Sequence, residues 1–342
     1  MPSRQHSGVE MVTAGPDIPP PVFLYYDPHP VHEKMASYLD AEMVQCETDG
    51  AFARIRAGRS HDFGNRPVIL EGGVPLVEGA ALKLLGSSGP VIALGADSTY
   101  HDIRNPMTGR TATSRLAHRF AQRFVDGTLA VSERIATIAA ELTNEPTRVT
   151  HPFVEANRYE ELRSLDPSLD GTRILCLGKY RRKNGQDVLV DALSNVGLDC
   201  TVDFVGPDTE QIEGPEAVNT HGFVSEAKLV DLFESAALMV FPAPAGAFPV
   251  ATLEALCAGL PVVTTPGVGT ATLVRGVHGR FVADADPTAI AVAIDWYFSL
   301  SENKREQFST LASGYGAGFN EASGLKAFAY EYGNLLADIG YV

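Results

Sequence analysis

The residues best placed to do chemistry lie in the run Phe241-Pro-Ala-Pro-Ala-Gly-Ala-Phe-Pro-Val-Ala-Thr-Leu-Glu-Ala-Leu-Cys-Ala-Gly-Leu-Pro-Val-Val263. A strand is expected to end at Phe241, followed by a flexible loop and a helix that begins at or just after Pro249. Proline suits a first helical turn because the N–H it lacks would have no acceptor there. The loop carries no bulky charge, so its backbone can approach a ligand closely. Unpaired N–H groups and the positive end of the helix dipole then offer an anion site. Glu254 lies one turn further in, where a carboxylate can accept two hydrogen bonds from a vicinal diol such as a ribose. Gly259 and Pro261 stop the helix. An anion at the helix start and a diol at the carboxylate fit a nucleoside diphosphate. A plain strand–loop–helix with a solvated glutamate has the same spacing.

Two basic segments stand out. Lys179, Arg181, Arg182 and Lys183 cluster at the expected C-terminal end of a strand, where ligands bind in open α/β sheets. Lys179 and Lys183 could neutralise a diphosphate and the charge that grows as it leaves; Arg181 and Arg182 read as a solvated loop. Between Asp102 and Asp126 there is no acid, while Arg115, Arg119 and Arg123 form one helical stripe beside Leu116, Phe120 and Phe124. That stripe could dock on anionic lipid, each base adding about 1 kcal/mol, or simply be a solvated helix face. Asp97 and His101, just past a strand end, could orient an acceptor hydroxyl. His29 and His32 follow the first strand and are further candidates, and Glu71-Gly72-Gly73 makes a flexible turn after another.

The elements that must position these groups alternate in type. Strands are expected at Val22–Tyr26, Met43–Glu47, Pro67–Glu71, Pro90–Gly95 and Gly127–Val131, with helices at His32–Asp40, Leu76–Leu85, Ser114–Phe124 and Glu133–Leu142. His151–Gly171 reads as a linker with a short helix. The alternation restarts with strands Arg173–Gly178, Asp199–Val205, Ala237–Phe241, Pro261–Thr264 and Gly279–Val282. The helices between and after them are Gln186–Asn195, Glu226–Ser235, Val250–Ala258 and Pro287–Leu300. This pattern argues for two successive parallel sheets with a cleft between them. A last helix, Gly324–Ile339, carries Phe328, Tyr332, Leu335 and Leu336 on one face and should pack back on the rest.

Composition narrows the choices. The 342 residues suit two domains. A formal charge of −15 disfavours sequence-independent nucleic-acid binding. Cys46, Cys176, Cys200 and Cys257 form no CxxC pair and read as structural thiols in a reducing compartment. Residues 1–21 lack an apolar core and end in prolines, which reads as a disordered lead-in, not a signal peptide. Prolines interrupt both long uncharged stretches, so no spanning helix is expected and a cytoplasmic location follows, with peripheral contact at the inner membrane face through the arginine stripe. Gly267-Val-Gly269-Thr-Ala-Thr272 lacks the third glycine of a dinucleotide fingerprint, and no P-loop or Gly-x-Ser-x-Gly elbow occurs.

The 241–263 run resembles the donor-binding signature of the family 4 glycosyltransferases, P-S-x-x-E-G-F-G-x-x-x-x-E-A-x-A-x-G-x-P-V. Pro242, Phe248, Glu254, Ala255, Ala258, Gly259, Pro261 and Val262 match it, with slightly adjusted spacing after Ala255. Thr220-His-Gly222-Phe223-Val224-Ser-Glu226 is similar to the segment whose backbone holds the nucleobase. Leu177-Gly178-Lys179-Tyr180-Arg-Arg-Lys183-Asn184 resembles the family's basic loop, and Val131-Ser132-Glu133, Thr150-His-Pro152-Phe153 and Val277-His278-Gly279 follow the family's order. The resemblance implies an α/β protein of GT-B fold, two Rossmann-like doubly wound domains facing across a cleft. Residues 22–150 would be the acceptor side, 151–320 the nucleotide-sugar side, and 321–342 a helix packing back. It implies sugar transfer, with retention of configuration, from a nucleotide sugar to an acceptor such as a lipid-linked sugar or glycan. No Asp-x-Asp pair stands where it would hold a metal, so lysines would take the metal's place and no cofactor is expected. The donor would be held by Gly178, Gly222, Phe223, Val224, Gly246, Phe248, Pro249, Val250 and Glu254, with Lys179 and Lys183 at the diphosphate. Two positions depart from the pattern. The family's first acid falls on Gly246, and its later G-G-x-x-E is Gly267 to Thr272 without an acid. These departures leave two alternatives open, a non-catalytic homologue and a nucleotide-sugar epimerase.

Overall fold

The computed structural model describes residues 19–47, 49–96, 99–104 and 111–342. Its first half alternates β1 (Val22–Tyr25), α1 (Pro30–Tyr38), β2 (Glu42–Gln45), α2 (Ala51–Ser60), β3 (Val68–Glu71), α3 (Leu76–Leu85), β4 (Val91–Gly95), α4 (Thr99–Arg104), α5 (Ala112–Ala121), β5 (Gly127–Ala130), α6 (Glu133–Leu142) and β6 (Thr147–Val149). After α7 (Ala156–Arg163) come β7 (Arg173–Leu177), α8 (Gln186–Leu193), β8 (Thr201–Val205), β9 (Val218–Thr220), α9 (Glu226–Ser235), β10 (Leu238–Phe241), α10 (Val250–Cys257) and β11 (Val262–Thr264). Four helices complete the chain: α11 (Ala271–Val277), α12 (Pro287–Phe298), α13 (Glu302–Gly316) and α14 (Glu321–Asp338).

Both sheets are parallel, ordered β2-β1-β3-β4-β5-β6 and β11-β10-β7-β8-β9. Their central strands are apolar runs covered on both faces, as parallel sheets require; Val68, Ile69 and Leu70 are fully buried. Each sheet has one point where the strand order reverses, between β1 and β3 in the first and between β7 and β10 in the second. The loops leaving the strands diverge there and open a crevice, the usual ligand position in such sheets. Helices α2, α3 and α5 form one layer over the first sheet. The other face is covered partly by the end of the chain: Phe328, Tyr332, Leu335 and Leu336 of α14 pack with Phe23, Ile69 and Leu129. The chain crosses between the sheets twice at one place, where the Val154 N–H donates to the Phe319 carbonyl at 2.9 Å.

Several expectations needed correction. Gly279–Val282 is not a strand: residues 279–281 make a 3₁₀ turn, capped by His278 Nδ1 accepting the Arg280 N–H at 3.3 Å, and Val282 keeps a lone bridge to Thr264. The helix expected at Ser114–Phe124 ends at Ala121 and tightens into a 3₁₀ turn over Gln122–Phe124. Elements α2, α4, β6, β9, α11 and α13 had no counterpart in the sequence reading. Asp97 and most of the 1–21 segment lie outside the described residues.

The α14 contact makes the C-terminus part of the first domain's core. Leu335→Ala should cost about 2–5 kcal/mol in a urea melt; a loss below about 1 kcal/mol would show that α14 is only appended.

Candidate functional site

The loops at the two reversal points face one another across a cavity of about 510 Å³. Tyr26, Asp27, His29 and His32 line it from the β1 side and Glu71, Gly72 and Val74 from the β3 side. Gly178 and Asn184 follow β7, and Phe248, Pro249, Val250 and Ala251 follow β10. Ala96 and Val131 extend the wall past β4 and β5.

The C-terminal wall is built by close backbone packing. The loop after β7 is pinned from within: Asn184 Nδ2 donates to the Lys179 carbonyl at 2.7 Å, and Gln186 Nε2 donates to the Gly178 and Lys179 carbonyls at 3.3 and 3.1 Å. Gly185, at φ +72°, lies so close to the Pro242 carbonyl that any Cβ would collide with it. The loop after β10 is held from the other side by the 267–269 segment, where the Gly269 N–H donates to the Gly246 carbonyl at 2.8 Å. Between these contacts the chain enters α10 at Pro249, with no side chain capping the helix. The first turn therefore presents backbone N–H groups at Val250 and Ala251, two residues that line the cavity.

This wall is fastened to the first domain. Ser132 Oγ donates to the Ala247 carbonyl at 2.9 Å, and the Phe248 ring stacks on His151 at 5.0 Å between centroids. His151 in turn donates from Nδ1 to the Val131 carbonyl at 3.0 Å.

Glu254 is one turn into α10, with 19% of its side chain exposed, and does not line the cavity itself. Its Oε1 accepts a hydrogen bond from Arg158 Nε at 3.2 Å. The same guanidinium donates to Glu161 at 2.7 Å and lies over the Phe233 ring. Burial raises the Glu254 carboxyl above its ordinary range, and the charge and hydrogen bond of Arg158 offset part of that rise. Arg158 was not foreseen, because it reaches Glu254 from 96 positions away.

The other expected donor residues divide. Gly178, Phe248, Pro249 and Val250 line the cavity. Lys179 is exposed and pairs with Asp208 at 3.1 Å, and Lys183 is half-buried on the 3₁₀ turn over Arg182–Asn184. Gly222, Phe223 and Val224 sit beyond β9, outside the cavity wall; Gly222 has φ +62° and Phe223 is 84% exposed. Gly246 is half-exposed, and a Cβ there would meet nothing nearer than Pro249 at 3.7 Å. His101 is buried on α4 and does not line the cavity.

On the opposite wall the structure joins residues that had been only loosely connected. His32 Nδ1 is hydrogen-bonded to Glu71 Oε1, and the same oxygen accepts the His29 N–H at 3.1 Å. His29 Nδ1 accepts the Val31 N–H at 3.3 Å and so caps α1. Burial and the neighbouring His32 lower the His29 pKa, against the pull of Glu71 and Glu155. Glu71 had been read only as part of a turn; a carboxylate ending a strand, with histidines after another, was the available signal.

Residues 171–299 match the family model described as glycosyl transferases group 1. No curated protein matches the chain in sequence. Among solved structures, HepE of Anabaena in complex with UDP and glucose is similar, with 17% identity, coverage of 92% of this chain and 98% of that one, and a TM-score of 0.67. Sucrose-phosphate synthase from Thermosynechococcus elongatus aligns at 14% identity over 95% of this chain and 86% of its own, with a TM-score of 0.66. A glycosyltransferase from Rickettsia africae aligns at 14% identity over 92% and 90%, with a TM-score of 0.64. The match to the glycosyl transferases group 1 model is confined to residues 171–299, and by its two facing parallel sheets the chain has the GT-B fold.

Proposed function

We propose that this glycosyltransferase takes a sugar from a nucleotide diphosphate donor seated against α10 and the β7 loop, and transfers it to a hydroxyl without a metal. The observation that carries this reading is the uncapped N-terminus of α10 opening on the cavity, with Glu254 one turn behind it. Val250 and Ala251 N–H groups would meet the diphosphate. Lys179 and Lys183 would supply the countercharge that a metal supplies elsewhere, since the Lys179–Asp208 pair is exposed and cheap to break. Glu254 would take the ribose diol, and Phe223 and Val224 would border the base. The HepE complexes with UDP and with UDP-glucose support a uridine donor as the first to try. Retention of configuration comes with the resemblance of the donor wall and completes the reading. The non-catalytic and epimerase alternatives rest on Gly246, where space exists for the missing side chain.

The outer face of the α2–α3–α5 layer supports a second contact. Leu116 and Phe120 are 68% and 56% exposed beside exposed Arg119 and Arg123, with Arg115 half-buried. Phe52 and Ile55 of α2 are also exposed, next to Arg56 and Arg59. Neither α2 nor α5 contains an acid. We propose that this face rests on anionic lipid beside a lipid-linked acceptor. No helix among the described residues is long and apolar enough to cross a membrane, so such contact would be peripheral.

A thermal-shift series with UDP-, GDP- and ADP-glucose should stabilise the protein with at least one of them, by about 2.7 kcal/mol at a hundredfold excess over Kd. Glu254→Gln should abolish that shift without destabilising the free protein. The raised carboxyl binds its proton more tightly folded than unfolded, so its ionisation weakens the fold as pH rises from the ordinary value of 4.5 through the raised one. The variant should therefore melt at or above the wild type at pH 7 and lose that advantage under more acidic conditions. A wild-type protein that ignores all three donors would sink the donor reading. Sedimentation with phosphatidylglycerol vesicles at low salt should pull down the wild type but not Arg119→Glu/Arg123→Glu, and phosphatidylcholine vesicles should bind neither.

A further inference from the structure

We infer that Gly246 makes room for an acylamino group, and that the sugar carried at this site is a 2-acetamido hexose. The inference rests on the donor reading above and names the sugar.

The fold itself gives no reason for glycine at 246. Its neighbours Gly185, Gly267 and Gly269 are demanded by packing, since a Cβ at each would come within 2.4 Å of a carbonyl oxygen. At Gly246 a Cβ would meet nothing nearer than the Pro249 ring at 3.7 Å and the Phe241 ring at 3.9 Å, which are ordinary contacts. Its φ is not positive either, so any residue could adopt its backbone conformation. What the glycine leaves is a hollow between two apolar rings. Phe241 and Pro249 both line the cavity, so the hollow adjoins it.

The hydrogen bonds of the loop say what kind of group fits there. From Phe241 to Ala251 there is no polar side chain. The carbonyls of Phe241, Ala243, Gly246, Ala247 and Pro249 already accept hydrogen bonds. Those of Pro242 and Pro244 are covered by Gly185 and Gly267. By contrast, the N–H groups of Ala247 and Phe248, two buried residues, have no acceptor among the described residues. Buried N–H groups are rarely left so. The loop is therefore better equipped to donate than to accept.

A free hydroxyl against this loop would need an acceptor for its hydrogen. An acetamido group needs less: its carbonyl takes an N–H, its methyl fills the apolar hollow, and its single N–H can use the remaining Ala245 or Phe248 carbonyl. A deoxy sugar would also avoid the unpaired hydroxyl, but it would leave the hollow empty. The 2-position adjoins the anomeric carbon and so lies nearest the diphosphate. The loop from Gly246 to Pro249 leads directly into the helical turn proposed to hold that diphosphate. The other hydroxyls of the sugar find acceptors elsewhere on the cavity wall, at Asn184, Asp27 and Glu71.

The test uses the full chain with UDP, UDP-glucose and UDP-N-acetylglucosamine, and reads affinity by calorimetry. UDP alone reports on the nucleotide site. The wild type should bind UDP-N-acetylglucosamine about tenfold or more tighter than UDP-glucose. Gly246→Glu places an acceptor for a hydroxyl in the hollow and should reverse that order. Gly246→Ala fills part of the hollow without offering an acceptor. It should weaken the acetamido donor about threefold or more and leave UDP-glucose within about twofold. Retained UDP binding shows that a variant is folded, and if Gly246→Glu loses UDP, Gly246→Ala decides. Equal or tighter binding of UDP-glucose by the wild type would overturn the inference and leave the donor reading standing. So would an unchanged order in a Gly246→Glu variant that binds UDP, or an unchanged acetamido affinity in Gly246→Ala. If the wild type binds none of the three ligands, the uridine donor reading fails and this one falls with it.

Discussion

The structure depends on how closely three stretches of backbone approach one another at the C-terminal edge of the second sheet. The β10 loop is sandwiched between Gly185, against the Pro242 carbonyl, and Gly269, against the Ala247 carbonyl. A side chain at either glycine would push the loop away by the width of a methyl group. The consequences would run in both directions. Ala247 is also where Ser132 ties the second domain to the first, and two residues later Pro249 starts α10. The same backbone thus sets the aim of the helix N-terminus, the width of the cavity and the spacing of the two domains. That coupling explains why the loop is made of Pro, Ala and Gly, which need no solvent for a polar head and leave the carbonyls free to be used.

Glu254 shows how a proposed ligand contact and stability pull apart. Its burial disfavours the ionised form, yet a ribose is best held by a carboxylate. Arg158 narrows the conflict by giving Glu254 a charged partner while its own charge is shared with Glu161 and spread over the Phe233 ring. A hydrophobic residue at 254 would pack at less cost. A costly carboxylate under the first turn of α10 is what the proposed diol contact requires, and that argument is independent of motif spacing. Arg158 belongs to the segment crossing between the sheets, so its hydrogen bond ties Glu254 to that crossing.

What could be read from the sequence divides along a physical line. Runs such as Val68–Leu70 and Val91–Leu94 are buried on both faces, and their uninterrupted apolar character announces them. Elements β6 and β9 are three-residue edge strands, half-buried or exposed, so no apolar run marks them. Helix α2, Ala-Phe-Ala-Arg-Ile-Arg-Ala-Gly-Arg-Ser, buries only Gly58 and presents its phenylalanine to solvent, which defeats a search for an inward apolar stripe. At Gly279–Val282 the apolar Phe281 and Val282 suggested a strand, but His278 capped the backbone into a turn first. At the site, Phe248, Pro249 and Val250 were legible because loop, cap and helix are local. The pairing of His32 with Glu71 spans 39 positions and follows only from β1 and β3 being neighbours.

The charge of the whole chain bears on how such a site can work. A donor diphosphate is an anion approaching a protein of formal charge −15. At physiological ionic strength charges further than about 8 Å are largely screened, so most of that excess is silent inside the cavity. What the proposed donor would meet is local: the α10 N-terminus, then Lys179, Arg181, Arg182 and Lys183 on the neighbouring β7 loop. Asp208 cancels some of this in the free protein, but the pair is exposed and the anion can displace it. The first domain's wall differs, with the His29 pKa lowered by burial and by His32, and Glu71 tied up by two hydrogen bonds to one oxygen. A neutral hydroxyl is favoured on that side and an anion on the other. The two walls of the cavity therefore differ electrostatically, which is the difference the proposed donor side and acceptor side require.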